Sequence, residues 1–173
     1  MASETTSELT TGVFFVHSCP KALAPHLEWA LARAVGHAVS FDWGPQPILP
    51  GSVRAEFAWT GPVGTATAVA SSVRGWEQLR FEISEDASAV TDGGRWLHTP
   101  GLGIFHMQTD VAGNAVIPED RLRYAMDLAG GDHVLLRQEL RLVLGQAWDE
   151  ELETFRQAGD TDGADVVWLH RAG

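Results

Sequence analysis

Seven histidines, one cysteine, one glycine-rich turn and a few arginines are the side chains of this 173-residue chain that could do chemistry. His17, His26, His37, His98, His106, His133 and His170 make no paired motif such as HExxH or CxxC. Zinc needs three or four converging ligands, so spacing supports neither a metal site nor a cofactor. His98 and His106 flank one expected hairpin and His17 ends an expected central strand. These three are the candidates for proton transfer if the chain is an enzyme, with structural or surface roles as the alternative. Cys19 precedes an expected helix, whose N–H groups could lower its pKa, but no base is identifiable; the plain reading is a small, partly buried side chain. Gly61-Pro62-Val63-Gly64-Thr65 follows a strand and opens a helix. Gly61 and Gly64 could therefore present N–H groups to a phosphate or carboxylate, or could simply form a tight turn that lets the helix pack closely. The turn has neither the lysine of a Walker loop nor the third glycine of a dinucleotide fingerprint.

Charged residues also recur at strand spacing. Arg54 and Glu56 alternate with apolar neighbours on one expected strand, and Arg80 and Glu82 on another, so these charges would frame an apolar strip on one sheet face. Either the C-terminal half covers that strip, or it is a groove in which Arg54 or Arg80 meets an anionic ligand. Trp29 falls with His26 and Arg33 on the side of the first helix opposite its core stripe, the composition of a protein-interface anchor; a loop or C-terminal helices covering it is the alternative.

The elements that must position these groups follow from periodicity. Residues 1–10 are polar and aperiodic and are expected to form a disordered arm, with one α+β domain over 11–173. Within residues 11–86 the order is strand, helix, strand, strand, helix, strand. Gly12 to His17 is apolar on both faces; Leu23, Leu27, Ala30, Leu31 and Ala34 make one helical stripe; Val39, Phe41 and Trp43 alternate; Val53 to Trp59 alternate; an Ala-rich helix runs to about Arg74; and Leu79, Phe81 and Ile83 alternate again. This is a ferredoxin-like βαββαβ unit. Residues 87–173 then read as a hairpin (Arg95–His98 and Leu102–Met107), a helix from Pro118 to Gly130, a second helix from Asp132 expected to be buried on more than one side, apolar positions Trp148, Leu152 and Phe155, and a last short strand over Val166–Leu169. That half is expected to pack on the first.

Composition bounds the partners. Forty-five per cent hydrophobic residues, with seven Trp and seven Phe, can fill a core without disulfides. A net charge of −11 disfavours nucleic acid and anionic membranes. There is no basic segment followed by an apolar stretch at the N-terminus and no apolar run of the roughly 20 residues that span a bilayer, so a cytoplasmic protein is expected.

The strings TTGVFFVHSCPKALAPHLEWAL, FDWGPQPILPGSVRAEFAWTGPVGTA, LRFEISEDASAVTDGGRWLHTPGLG, EDRLR and LGQAWDEELETF resemble a bacterial domain-of-unknown-function family, DUF3145, from about Thr11 to Arg171. The resemblance implies no activity and no site residues. It implies a bacterial source and genes near those of dissociated fatty-acid synthesis, an association rather than a mechanism. The expectation drawn from residues and resemblance together is a noncatalytic cytoplasmic binding or regulatory protein that engages a protein partner or an anionic small ligand. Arg121, Arg123, Arg137 and Arg141 would be the local basic patch for an acidic carrier partner. Two alternatives stand beside it: a small enzyme with a histidine-containing cleft between the halves, and a structural homodimer formed through the sheet face.

Overall fold

Alternation of apolar and charged residues along the early segments produces a sheet with two unlike faces. The computed structural model describes residues 8–160. Their elements run β1 (Leu9–Pro20), a 3₁₀ turn, α1 (Ala24–Val35), β2 (Gly44–Pro45), β3 (Ser52–Pro62), α2 (Thr65–Ser72), β4 (Arg80–Glu85), β5 (Gly93–Thr99), β6 (Gly103–Thr109), β7 (Ala115–Val116), α3 (Glu119–Ala129), α4 (His133–Val143) and α5 (Gln146–Asp160). The class is α+β. All strands join one antiparallel sheet in the order β2-β3-β1-β4-β5-β6-β7.

Register sorts the side chains. Phe14 lies opposite Phe57 and Ile83, and Val16 opposite Ala55 and Phe81, so these face one side. There they pack with Leu27, Leu31 and Val35 of α1 and Ala66 and Val69 of α2, forming the larger core. Phe14 meets Phe41 and Phe81 edge-on at 5.7 Å. Phe15 lies opposite Glu56 and Glu82, on the other side. On that side α5 buries Leu152 against Leu97 and Phe105, with Met107 and Trp148 around them. Gly145 makes this second layer geometrically feasible. Its φ of +70° ends α4, and a Cβ there would run into the Phe105 ring.

Several expectations change. The strand expected at Val39–Trp43 shrinks to Gly44–Pro45, because Glu28 takes the ladder's place: its carboxylate accepts from the Phe41 N–H (2.8 Å) and from Trp43 Nε1 (2.9 Å). Phe41 is still buried, stacked on Phe57 at 5.0 Å, so the alternation records burial without strand pairing. The expected hairpin forms as β5–β6, but it extends the sheet through β4 instead of packing on it. Leu9 and Thr10, expected to belong to a disordered arm, instead pair with Pro62 and Gly61, and the Thr10 hydroxyl donates to the Asp86 carbonyl (2.8 Å). None of the residues of α4 is buried, against the expectation of a helix enclosed on several sides, because among the described elements it packs chiefly on α3 and α5. The strand expected at Val166–Leu169 lies outside the described residues.

Close approach of β1 to its neighbours yields a test. A Cβ on Gly12 would land on the Ser84 carbonyl oxygen and within 2.5 Å of the Trp59 ring, whereas one on Gly44 meets nothing within 4 Å. Gly12→Ala should cost roughly 3 kcal/mol or more in urea unfolding, as overpacking against backbone does. Gly44→Ala should stay within about 0.5 kcal/mol of wild type.

Candidate functional site

The most densely charged place in the fold is the sheet face beneath α5. Glu82, on β4, is 5% exposed. Its Oε1 accepts from His17 Nε2 on β1 at 2.7 Å and from Arg156 Nε on α5 at 2.7 Å. Arg95 on β5 binds Oε2 through Nε (3.1 Å) and Nη2. Asp149, one helical stripe away from Arg156, accepts from Arg95 Nη2 (3.0 Å) and Arg156 Nη2 (2.9 Å) and closes the network. Burial alone would push the Glu82 carboxyl up. The His17 hydrogen bond and the charges of Arg95, His17 and Arg156 outweigh burial and hold it well below the usual carboxylate range. Glu56, across β1, is raised by burial, and the nearby His17 opposes that shift.

This arrangement answers the alternatives for the apolar strip. The C-terminal half does lie on that face, through α5. Arg80 is engaged there: its Nε reaches Glu151 (3.3 Å), its Nη1 reaches Ser18 (3.4 Å) and its guanidinium sits 4.4 Å from the Phe155 ring centroid. Arg54 approaches α5 so closely that a Cβ on Gly159 would be 2.5 Å from its Nη1. Of the two arginines offered as ligand anchors, Arg80 therefore holds a helix of its own chain and Arg54 lies against it.

The three candidate histidines do not converge. His17 belongs to the Glu82 network. His98 and His106 point to the opposite face, because His98 pairs across from Phe81 and His106 across from Trp96. His98 is buried, donates from Nδ1 to the Leu79 carbonyl (2.8 Å) and stacks on Phe81 at 5.4 Å. His106 stacks on Trp96 at 4.4 Å, and burial, then the Arg121 charge, lower its pKa. Cys19 lies near the end of β1, two residues before the 3₁₀ turn that leads into α1, and is fully buried, its thiol donating to the Pro20 carbonyl (3.2 Å) and pushed up to about 12 by burial. A thiolate nucleophile is not available at that site.

The Gly61–Gly64 turn holds an anion, but an internal one. The Glu85 carboxylate accepts from the Gly64 N–H (2.7 Å) and the Ala66 N–H (2.8 Å), so the start of α2 is already capped from β4. Gly61 serves close packing, since a Cβ there would lie 2.8 Å from the Thr65 hydroxyl and 3.1 Å from Val35. A shallow groove of about 560 Å³ runs past Pro20, Leu49, Gly51, Glu77, Arg80 and Pro100 and includes none of the candidate histidines. Among the described residues no group of three or more His, Cys, Asp and Glu could hold a metal ion, and no helix is long and apolar enough to cross a membrane.

Trp29 stands apart from all this. It is 62% exposed on the outer side of α1, with His26 edge-on at 4.9 Å and, beyond it, Trp76 at 6.2 Å from His26. Arg33 follows one turn later and is exposed. Sequence reading found this patch and Glu82 but missed Arg95, Arg156 and Asp149. Asp149 and Arg156 are seven residues apart, two helical turns, and that spacing of opposite charges beside Leu152 was the available signal.

Comparison with known proteins is narrow. The family model described as "Protein of unknown function (DUF3145)" matches residues 13–171. No curated protein and no solved structure matches the chain.

The network has a measurable consequence. Glu82→Gln removes the charge that compensates the nearly buried Arg156 and the half-buried Arg95 guanidinium groups and should destabilise the protein by roughly 3 kcal/mol at neutral pH. Because the folded pKa of Glu82 is depressed, its contribution is complete above about pH 5 and is lost as pH falls below the ordinary carboxylate value near 4.3 toward the folded value. Unfolding measured between pH 3 and 7 should therefore show a shallower acid decline for the variant; equal slopes and equal stability would contradict the assignment.

Proposed function

Since the chain belongs to that family, whose description assigns no activity, we propose from the geometry that it is a noncatalytic binding or regulatory protein that engages a protein partner through the aromatic patch on α1. The observation that carries this reading is the exposure of Trp29. A tryptophan offers about 150–250 Å² of area to bury, and such residues dominate the energetics of interfaces. His26, wedged edge-on between Trp29 and Trp76, restricts the ring beforehand, which reduces the ordering entropy that binding must overcome.

Two further features support binding over catalysis. The candidate proton-transfer groups are split between sheet faces, and the candidate anion anchors Arg80 and Gly64 are occupied by Glu151 and Glu85. The acidic charge of the whole chain directs the patch toward proteins and away from polyanions. The family resemblance makes enzymes of dissociated fatty-acid and acyl-CoA metabolism the first partners to examine. As to the scaffold, the order β2-β3-β1-β4 with α1 and α2 on one face supports reading residues 9–85 as a ferredoxin-like unit that β5, β6 and β7 extend.

Affinity purification from the native cell with mass spectrometry, run in parallel on wild type and Trp29→Ala, tests the proposal. A specific protein recovered by wild type should be depleted about tenfold or more with the variant, while the variant's stability stays within about 0.5 kcal/mol. Equal recovery by both chains, or no specific protein with either, would refute the reading.

A further inference from the structure

A second surface, remote in sequence from Trp29, is built for a different occupant. α3 and α4 pack against each other, yet most of their large apolar side chains face water. Tyr124 is 65% exposed, Met126 63%, Val134 55% and Leu142 53%, and Leu128 and Leu144 are also exposed. The reason lies in the sequence of α3, which buries only the small Ala125 and Ala129 and leaves its bulky residues on the flanks. No described residue of α4 is buried. An apolar surface of this extent on a soluble domain marks an interaction site.

Charge placement identifies what fits it. On α3, Asp120, Tyr124, Asp127 and Leu128 fall at i, i+4, i+7 and i+8 and make one apolar stripe that carries two carboxylates and is bordered by Arg121 and Arg123. On α4, Val134, Arg137, Arg141 and Leu144 fall at i, i+3, i+7 and i+10 and make one basic and apolar stripe. All eight residues are exposed. Asp120, Asp127 and Arg137 make no side-chain ion pair among the described residues; Arg141 reaches only Glu150, on the surface (2.7 Å). A two-fold axis repeats every contact, so α3 of one copy lying on α4 of the other sets an acidic stripe on a basic one twice. Residues 119–144 hold four arginines against five carboxylates, so they carry little of the chain's net charge of −11 and add little repulsion between two copies.

The area fits a weak association. Two helices of 11 residues are each about 16 Å long and together about 20 Å wide. Two such faces present about 640 Å² in projection, the size of a concentration-dependent contact below that of permanent assemblies.

We propose that the α3–α4 face binds a second copy of this chain, with α3 of each protomer against α4 of its partner. The experiment is sedimentation equilibrium across micromolar to millimolar concentrations on three full-length proteins: wild type, the acidic-face variant Arg137→Asp/Arg141→Asp, and the basic-face variant Asp120→Arg/Asp127→Arg. Wild type should dimerise. Each variant alone should dissociate at least about tenfold more readily, because like charges then face each other. An equimolar mixture of the two variants should recover dimers, because acidic stripes then meet basic ones at both contacts. A strictly monomeric wild type, or dimers that survive both reversals, would overturn the proposal. Circular dichroism of each variant guards against misfolding, and a second charge-reversal pair at Arg137 and Asp127 alone repeats the test if a double variant fails to fold. The outcome is independent of Trp29, which lies on α1.

Discussion

A single buried carboxylate organises the joint between the two layers of this protein. Glu82 sits on β4 beneath α5 with three cationic or protonatable partners around it, one from each of β1, β5 and α5. An isolated ion in that position would be very costly, and the carboxylate stays charged only because His17, Arg95 and Arg156 converge on it. Asp149 then joins the two arginines from the helix side. Apolar packing of Leu152 against Leu97 and Phe105 could tolerate small shifts of the helix along the sheet. Bidentate contacts do not, so the polar network fixes the register that the greasy contacts leave soft.

The opposite face works by other means. There α1 and α2 bury Phe14, Phe81 and Ile83 with no charged residue between them, and the one carboxylate that reaches α2, Glu85, spends itself on backbone N–H groups. Position along β4 separates these roles. Phe81 and Ile83 point into the core, while Glu82 points to the network, and Glu85 closes the strand by capping the helix before it. Six consecutive residues thus hold both layers.

Much of this was legible beforehand. Strands β1, β3 and β4, helices α1 and α2, and the β5–β6 hairpin follow from period-2 and period-3.6 patterns, because each buries one face and exposes another. Val39 to Trp43 misled for a physical reason: the pattern reports which side chains are buried, and Glu28 satisfies the backbone that a ladder would otherwise claim. The same limit hid the charged network. Arg54, Arg80 and Glu82 could be placed on one face from strand periodicity, but the α5 partners of Arg80 and Glu82 lie about 70 residues later, and no local spacing encodes that pairing. The surface of α4 was misjudged because many leucines on a helix suggest enclosure, whereas whether a neighbour covers them depends on tertiary placement.

The margins of the sheet carry one more implication. β2 and β7 are each two residues long, and Pro45 removes one amide from the outermost β2 row. A strand from another molecule would find only a two-residue row on β2 or on β7 itself. β1, β4 and β5 are paired on both sides, whereas β2 covers only Val53 and Arg54 of β3 and β7 only Gln108 and Thr109 of β6, so any strand-to-strand association between molecules is confined to the outer rows of β3 and β6.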